Sequence, residues 1–340
     1  METGPCAGFL LSKACYDNAV IHIFLGGVAM KHTLVMLGEA MLELRPHRAD
    51  LLQHSFAGDV LNTAIYLQRS SKARLDVQFF SAIGTDALSD QLLAFLQHEQ
   101  IGTELLYRSQ HALPGLYLVQ NDAEGERSFH YWREASAARK VMQCYAAEPR
   151  PSTLDGCRLL YLTGISLAML SPVDRQQLFQ LIRALKTQGC RLVFDANYRP
   201  SLWQNREEAA AACLEIYRMA DLVLSGLDDQ RALFGHDSLE QACDWLQQLG
   251  VKESMLKDGA NGAVGDCDGQ RTRVAASPVR QVVDTTSAGD AFNGGYLAAR
   301  WHGLSALESA RYAARLAAFV VQQPGAIVKA AAFASFDTLP

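Results

Sequence analysis

The sequence predicts an α/β fold: a mostly parallel sheet flanked by helices, carrying a small β lid. Three observations point there. From Thr33 onward, short apolar runs alternate with stretches whose apolar residues recur at helical spacing. Turns rich in Gly, Asp and Ser separate the two kinds of segment. One stretch breaks the alternation with two adjacent strand-like runs and reads as a hairpin. Strands that alternate with helices imply βαβ crossovers, which bury both faces of a parallel sheet.

Taken in order, residues 34–37 read as a buried strand, and Leu61, Ala64 and Ile65 then recur as one helix face. Residues 77–80 give a second strand, ended by Gly84-Thr85-Asp86. Leu88, Leu92, Phe95 and Leu96 form the stripe of the next helix. The hairpin follows, with residues 115–120 and 127–133 as its arms and 121–126 as its turn. An antiparallel pair does not belong inside a parallel sheet. It therefore extends from the main body as a lid spanning about residues 113–133. Further strands are expected at 159–162, 191–194, 222–224 and 254–256, with helices between them. Ser171-Pro172 is a helix start and Gly189 a stop. A strand at Val282-Val283 runs into a turn of small residues and then a helix carrying Ala291, Gly294, Gly295 and Ala298.

Composition narrows the function classes. The chain has 340 residues, 49% of them hydrophobic and 20% charged, which is ample for a core. Its formal net charge of -5, with no basic run, leaves no electrostatic footprint for nucleic acid. No apolar run approaches the ~18 residues of a membrane span, so no membrane partner is expected. The eight cysteines make no CxxC pair and read as reduced thiols of a cytoplasmic protein. The organised pattern begins just after Met30. Residues 1–30 are therefore expected to be a disordered or non-native extension, and residues 31–336 the functional domain.

Four stretches carry candidate chemistry. In Asp284-Thr285-Thr286-Ser287-Ala288-Gly289-Asp290, small residues at a helix start would let an anion approach free backbone N–H groups. An acid there, Asp290, suits a base that takes a proton from an attacking hydroxyl. The same residues also read as a plain helix cap. In Gly58-Asp59-Val60-Leu61-Asn62, Asp59 and Asn62 share the first turn's face and could reach sugar hydroxyls, or simply cap a helix. Residues 257–262, Lys-Asp-Gly-Ala-Asn-Gly, form a loop at a strand end, where ligands sit in open α/β sheets. On the lid, Phe129, Tyr131 and Arg133 point to one side, with Tyr117 able to join them. An aromatic wall ending in a guanidinium suits a ligand bearing a carboxylate. A solvated lid edge is the other reading. There is no P-loop, no GxGxxG, no HExxH and no GxSxG, so neither a P-loop nucleotidase nor a nicotinamide-dependent dehydrogenase is expected.

Residues 284–290 and the Gly58-Asp59 and Asn62 stretch, in this order and with a lid hairpin between, resemble the two signature motifs of ribokinase-like (PfkB-type) carbohydrate kinases. The similarity covers roughly Lys31 to the end. Residues 34–44, 58–64, 113–117, 125–133 and 195–203 are most similar to the bacterial branch that acts on 2-keto-3-deoxygluconate. The resemblance implies transfer of the γ-phosphoryl of ATP, with Mg²⁺ and in some members K⁺, to the 6-hydroxyl of that sugar acid. It implies Asp290 as base, and Ser287, Ala288 and Gly289 as anion hole. Gly58, Asp59, Asn62, Tyr117, Tyr131 and Arg133, with Asp290, are implied as sugar-acid contacts. Asn197, Arg199, Lys257, Gly259, Ala260, Gly262 and Gly289 are implied as ATP contacts, and Asp284 and Thr286 as a monovalent-cation site. No protein side chain is implied as a direct Mg²⁺ ligand, and assembly of subunits through the lid is implied as well. Ala57 and Ser287 replace glycines common in the family, and both are small. Anchored on Leu233-Phe234-Gly235, an Asn-x-x-Glu motif linked to Mg²⁺ falls on Leu227 and Gln230, which cannot serve it, and Asp228 or Asp229 is the candidate substitute. Kinases of fructose, ribose or a nucleoside, or a catalytically silent sugar-binding protein, are the alternatives.

Overall fold

A computed structural model describes residues 32–48, 50–72, 74–121 and 127–339. The expected extension at 1–30 and most of the hairpin turn lie outside the described residues. Thirteen strands occur among them: β1 (Thr33–Leu37), β2 (Met41–Arg48), β3 (Leu51–Ala57), β4 (Asp76–Ile83), β5 (Leu106–Arg108), β6 (Gly115–Asn121), β7 (Arg127–Trp132), β8 (Cys157–Thr163), β9 (Arg191–Asp195), β10 (Leu222–Val223), β11 (Glu253–Lys257), β12 (Ala263–Cys267) and β13 (Gln270–Val274). The helices that matter for the site are α1 (Asp59–Ser70), α2 (Ala87–His98), α3 (Pro172–Thr187), α4 (Leu227–Phe234), α5 (Ala288–Trp301) and α6 (Ala306–Val320).

Nine strands form the main sheet in the order β13-β12-β11-β10-β9-β8-β1-β4-β5. From β11 to β5 every pairing is parallel. β1 shows why its sequence is a continuous apolar run. Val35 and Leu37 enter one core layer, Leu34 and Met36 the opposite one, and all four are fully buried. The expected helix limits hold for α3. The Ser171 hydroxyl accepts the Asp174 N–H, and Gly189 sits past the end at φ 87°.

Three expectations are corrected. The lid is a four-stranded sheet, β3-β2-β6-β7, rather than a hairpin. β2 and β3 were not anticipated because Leu51–Phe56 is largely exposed and lacks an apolar face. Antiparallel strands β12 and β13 extend the main sheet, so the lid is not alone in breaking the alternation. Val282-Val283 is not a strand. Both valines are exposed, and the N–H groups of Val283 and Asp284 go to the Val321 carbonyl after α6. Among the described residues, no helix is long and apolar enough to cross a membrane.

Candidate active site

The site lies where α1 and α5 begin side by side. Their approach is a backbone matter. A Cβ at Gly294 on α5 would come within 2.7 Å of the Thr63 carbonyl oxygen and 2.8 Å of the Leu67 nitrogen on α1. Only a residue without a side chain lets the helices meet this closely. Gly58, just before α1, is constrained in the same way, because a Cβ there would overlap the Glu39 carbonyl oxygen. This packing sets Asn62 against Asp290, and the Asn62 Nδ2 donates to the Asp290 Oδ2 at 2.9 Å. Asp59 lies alongside, its Oδ2 accepting from the Thr163 hydroxyl at 2.6 Å and from the Asn197 Nδ2 at 2.9 Å. Asn197 holds a left-handed backbone, φ 33°, and its N–H reaches the Asp195 carboxylate.

Desolvation in this cleft, followed by the charge of Asp59, pushes Asp290 up to about 7, against the lowering effect of the Asn62 hydrogen bond. A carboxylate so placed exchanges a proton near neutral pH, which is what a general base requires.

The turn before α5 carries the residues expected to form an anion hole. Ser287 takes the left-handed conformation, φ 63°, and its hydroxyl donates to the Ala326 carbonyl. The Ala288 N–H turns back to the Thr285 carbonyl at 3.2 Å. Ala288 is therefore occupied, and the Gly289 and Asp290 N–H groups in the first turn remain without an intrahelical acceptor. The lysine expected in the nucleotide loop has a different neighbourhood. The Lys257 amine lies between Asp195 (2.9 Å) and the Asn293 Oδ1 (2.8 Å). It sits 3.7 Å from where a Cβ on Gly289 would be. It thus stands beside the first turn of α5, its charge shared with Asp195. Gly259 and Ala260 are exposed on the loop, and Gly262 is buried at φ 96°.

The lid closes the other side. Tyr117 pairs with Tyr131 across β6 and β7, with ring centres 5.6 Å apart, and Phe129 joins both. The Tyr117 hydroxyl donates to Glu43, and the Arg133 guanidinium pairs with buried Glu39 while lying 5.8 Å from the Tyr131 ring centre. One Glu39 oxygen, Oε1, is buried without a partner. Burial raises the Tyr131 hydroxyl, which Arg133, Arg199 and Asp59 also influence. Arg199, expected at the nucleotide, thus stands within reach of the lid tyrosine.

Helix α4 corrects the motif assignment. Gln230 is buried among core groups, bonded to the Tyr217 hydroxyl and facing His236. Asp229, one residue earlier, accepts the N–H groups of Tyr198 (2.8 Å) and Gly226 (3.2 Å). Burial and the neighbouring Asp195 raise it to about 6, with Arg199 and Lys257 opposing. Asp229 is therefore the acid of this helix that faces the cleft, while Asp228 is exposed with Arg231. Asp195, Asn293, Thr163, Glu39, Glu43 and Arg45 were not picked out from the sequence as site groups. Each acts through a partner distant in the chain, and no local pattern announces such pairs.

Residues 28–332 match the model of the pfkB family carbohydrate kinase. A 2-dehydro-3-deoxygluconokinase of Dickeya dadantii (strain 3937) is 38% identical over 299 residues, 87% of this chain and 96% of the relative. The solved structure of a PfkB protein from Polaromonas sp. JS666 has a TM-score of 0.75 at 30% identity, covering 89% of this chain and 99% of that one. A fructokinase from Xylella fastidiosa with bound ATP has a TM-score of 0.76 at 23% identity, covering 90% and 98%, a likeness of fold alone.

Proposed function

The chain belongs to the pfkB family of carbohydrate kinases, and from that premise we propose that it transfers the γ-phosphoryl of ATP to the 6-hydroxyl of 2-keto-3-deoxygluconate. The observation that carries the reading is the meeting of Asp290, Asn62, Asp59 and the first-turn N–H groups of α5 with the lid group of Tyr131 and Arg133. The high identity to a 2-dehydro-3-deoxygluconokinase selects the substrate. Residues 31–336 act as one kinase domain.

In the reaction, the substrate O6 approaches the γ-phosphorus as its proton passes to the Asp290 carboxylate. The O6–P bond forms and the bond from phosphorus to the ADP oxygen breaks. The Gly289 N–H and the positive end of α5 stabilise charge on the transferring group. Positioning and electrostatics supply most of the acceleration in phosphoryl transfer. Gly58, Asp59 and Asn62 hold sugar hydroxyls. Tyr117, Tyr131 and Arg133 hold the acid end, although Arg133 already spends one N–H on Glu39. Arg199, Asn197, Gly259, Ala260 and Gly262 border the ATP, while the Lys257 amine stays with Asp195 and Asn293 beside the first turn of α5.

Asp229 fits a hydrated Mg²⁺, because each of its oxygens accepts a single backbone N–H, from Tyr198 and Gly226, and keeps lone pairs for the water shell of an ion, whereas Asp195 is shared by Lys257 and Asn293. When bound, the ion neutralises the triphosphate's charge. The monovalent cation implied at Asp284 and Thr286 has a competitor, since Arg45 already lies on the Asp284 carboxylate. The reading assigns that charge to the protein and expects potassium to replace sodium without effect on turnover. Large apolar side chains are exposed at both edges of the lid, Leu51, Leu52 and Trp132 among them, and support a dimer through it.

The test is kcat/KM with ATP and Mg²⁺ on 2-keto-3-deoxygluconate, fructose, ribose and adenosine. Selective use of the keto acid is expected. Preference for a neutral sugar would keep the kinase and overturn the substrate. ATP binding with no turnover of any would favour a silent sugar-binding protein.

A further inference from the structure

Arg45 leaves the lid and crosses onto the turn that precedes α5. Its Nε and Nη2 grip the Glu43 carboxylate at 2.6 and 3.0 Å, and its Nη1 donates to the Asp284 Oδ2 at 3.0 Å. Such a fork is a guanidinium geometry, which a lysine cannot reproduce. At the lid end, Glu43 also accepts the Tyr117 hydroxyl and, at 2.9 Å, the Ser55 hydroxyl. At the other end, the Asp284 side chain is fully buried. Its oxygens accept the Thr286 N–H at 2.9 Å and the Gly325 N–H at 2.8 Å. Burial pushes this carboxyl up, yet the bonds from Thr286, Gly325 and Arg45 hold it below the ordinary Asp range. The Thr286 bond shapes the turn in which Ser287 adopts φ 63°, and that turn aims the first N–H groups of α5 into the cleft.

A continuous run of charge-assisted bonds therefore joins the aromatic wall of the lid to the anion hole: Tyr117, Glu43, Arg45, Asp284, Thr286. Without Arg45, two buried carboxylates would lose their shared cation, and removing one partner of a buried pair is strongly destabilising locally. We propose that Arg45 is a positioning residue, a built-in cation that couples the seating of the sugar acid on the lid to the geometry of the anion hole. This rests on the anion-hole reading above. Arg45 acts through Glu43 and Asp284, the two acids that it bonds.

The experiment compares the full chain with Arg45→Ala and Arg45→Lys. Three quantities are measured: kcat and KM, recovery by millimolar guanidinium against sodium chloride at equal ionic strength, and hydrogen exchange of amides 284–290. Arg45→Ala should lose about 10²-fold in kcat, the scale of a misplaced catalytic group, with KM for ATP little changed. Guanidinium should restore at least part of the loss, and the variant should respond to potassium where the unaltered protein does not. Arg45→Lys should recover less than guanidinium restores. Exchange at 284–290 should speed up in Arg45→Ala and slow again with guanidinium, a readout independent of turnover. Unchanged kcat, or unchanged exchange at 284–290, overturns the proposal. So does a loss that tracks a lowered Tm and ignores guanidinium. Failure of the kinase reading itself would show as absent turnover in the unaltered protein, with the exchange result still deciding the role of Arg45.

Discussion

The floor of the cleft and its lid are built on opposite principles. In the floor, position is set by main chain. Gly294 and Gly58 sit where any Cβ would strike a neighbouring backbone, which sets Asn62 against Asp290, and at the neighbouring strand ends Lys257 bonds Asp195 and Asn293. In the lid, position is set by side chains. Phe129 and Tyr131 remain 38% and 50% exposed, and the Arg133–Glu39 pair holds the acid-facing end. A floor made by backbone contact can vary little and still work. A lid made by side chains can change its ligand by exchanging a few residues. On the proposed function, the comparison places the proton-accepting chemistry in the floor and recognition of the acid end in the lid.

The largest effect should come from the floor. Asp290→Asn is expected to lose about 10²–10⁴ in kcat, the usual scale for a general base, and by the same factor on any sugar the protein accepts. Near-normal turnover would remove Asp290 from that role. The unaltered protein's kcat/KM should rise with pH through about 7, because the base must be ionised. Stability runs the other way. A carboxyl raised in the folded state favours folding below the unfolded Asp value of about 3.9, and that contribution is lost as pH climbs through the folded value near 7. Asp290→Asn should therefore show a higher Tm than the unaltered protein at pH 8, and the gap should narrow as the pH falls below 7.

Next comes the lid. Arg133→Ala is expected to raise KM for the sugar acid by about 10²-fold, the range for truncating one partner of a buried charge pair, and to change KM for fructose far less. Equal changes on both would show that Arg133 only supports the lid. The smallest effect in kinetics should come from packing. Gly294→Ala should destabilise by about 1–3 kcal/mol in denaturant unfolding, as overpacked sites do, with a kcat loss smaller than that of Asp290→Asn. A neutral result would mean that α1 and α5 can part without moving Asn62 from Asp290.

The same contrast explains what could be read in advance. The central parallel strands were legible because burial on both faces writes them as apolar runs, as in Leu34 to Leu37, whereas the parallel edge strand β5, three residues long, was not. β13 was not, since Gln270–Val274 is short, charged and mostly exposed, and β12 was not, since Gly265 and Asp266 interrupt its apolar run. In the site, Asp290, Asp59 and Asn62 stood out because helix starts concentrate acids and small residues in a recognisable pattern. Glu39, Glu43 and Arg45 carry no such mark. Their roles arise from partners 94, 74 and 239 positions away. The offset between Gln230 and Asp229 was decided by helix phase, which turns one side chain into the core and the next towards the cleft.

The most direct test is the ratio of kcat/KM for 2-keto-3-deoxygluconate over fructose, measured in the unaltered protein, Asp290→Asn and Arg133→Ala. Division of labour between floor and lid predicts that Asp290→Asn lowers both values and leaves the ratio intact, while Arg133→Ala collapses the ratio. A ratio that falls in Asp290→Asn and survives in Arg133→Ala would contradict it.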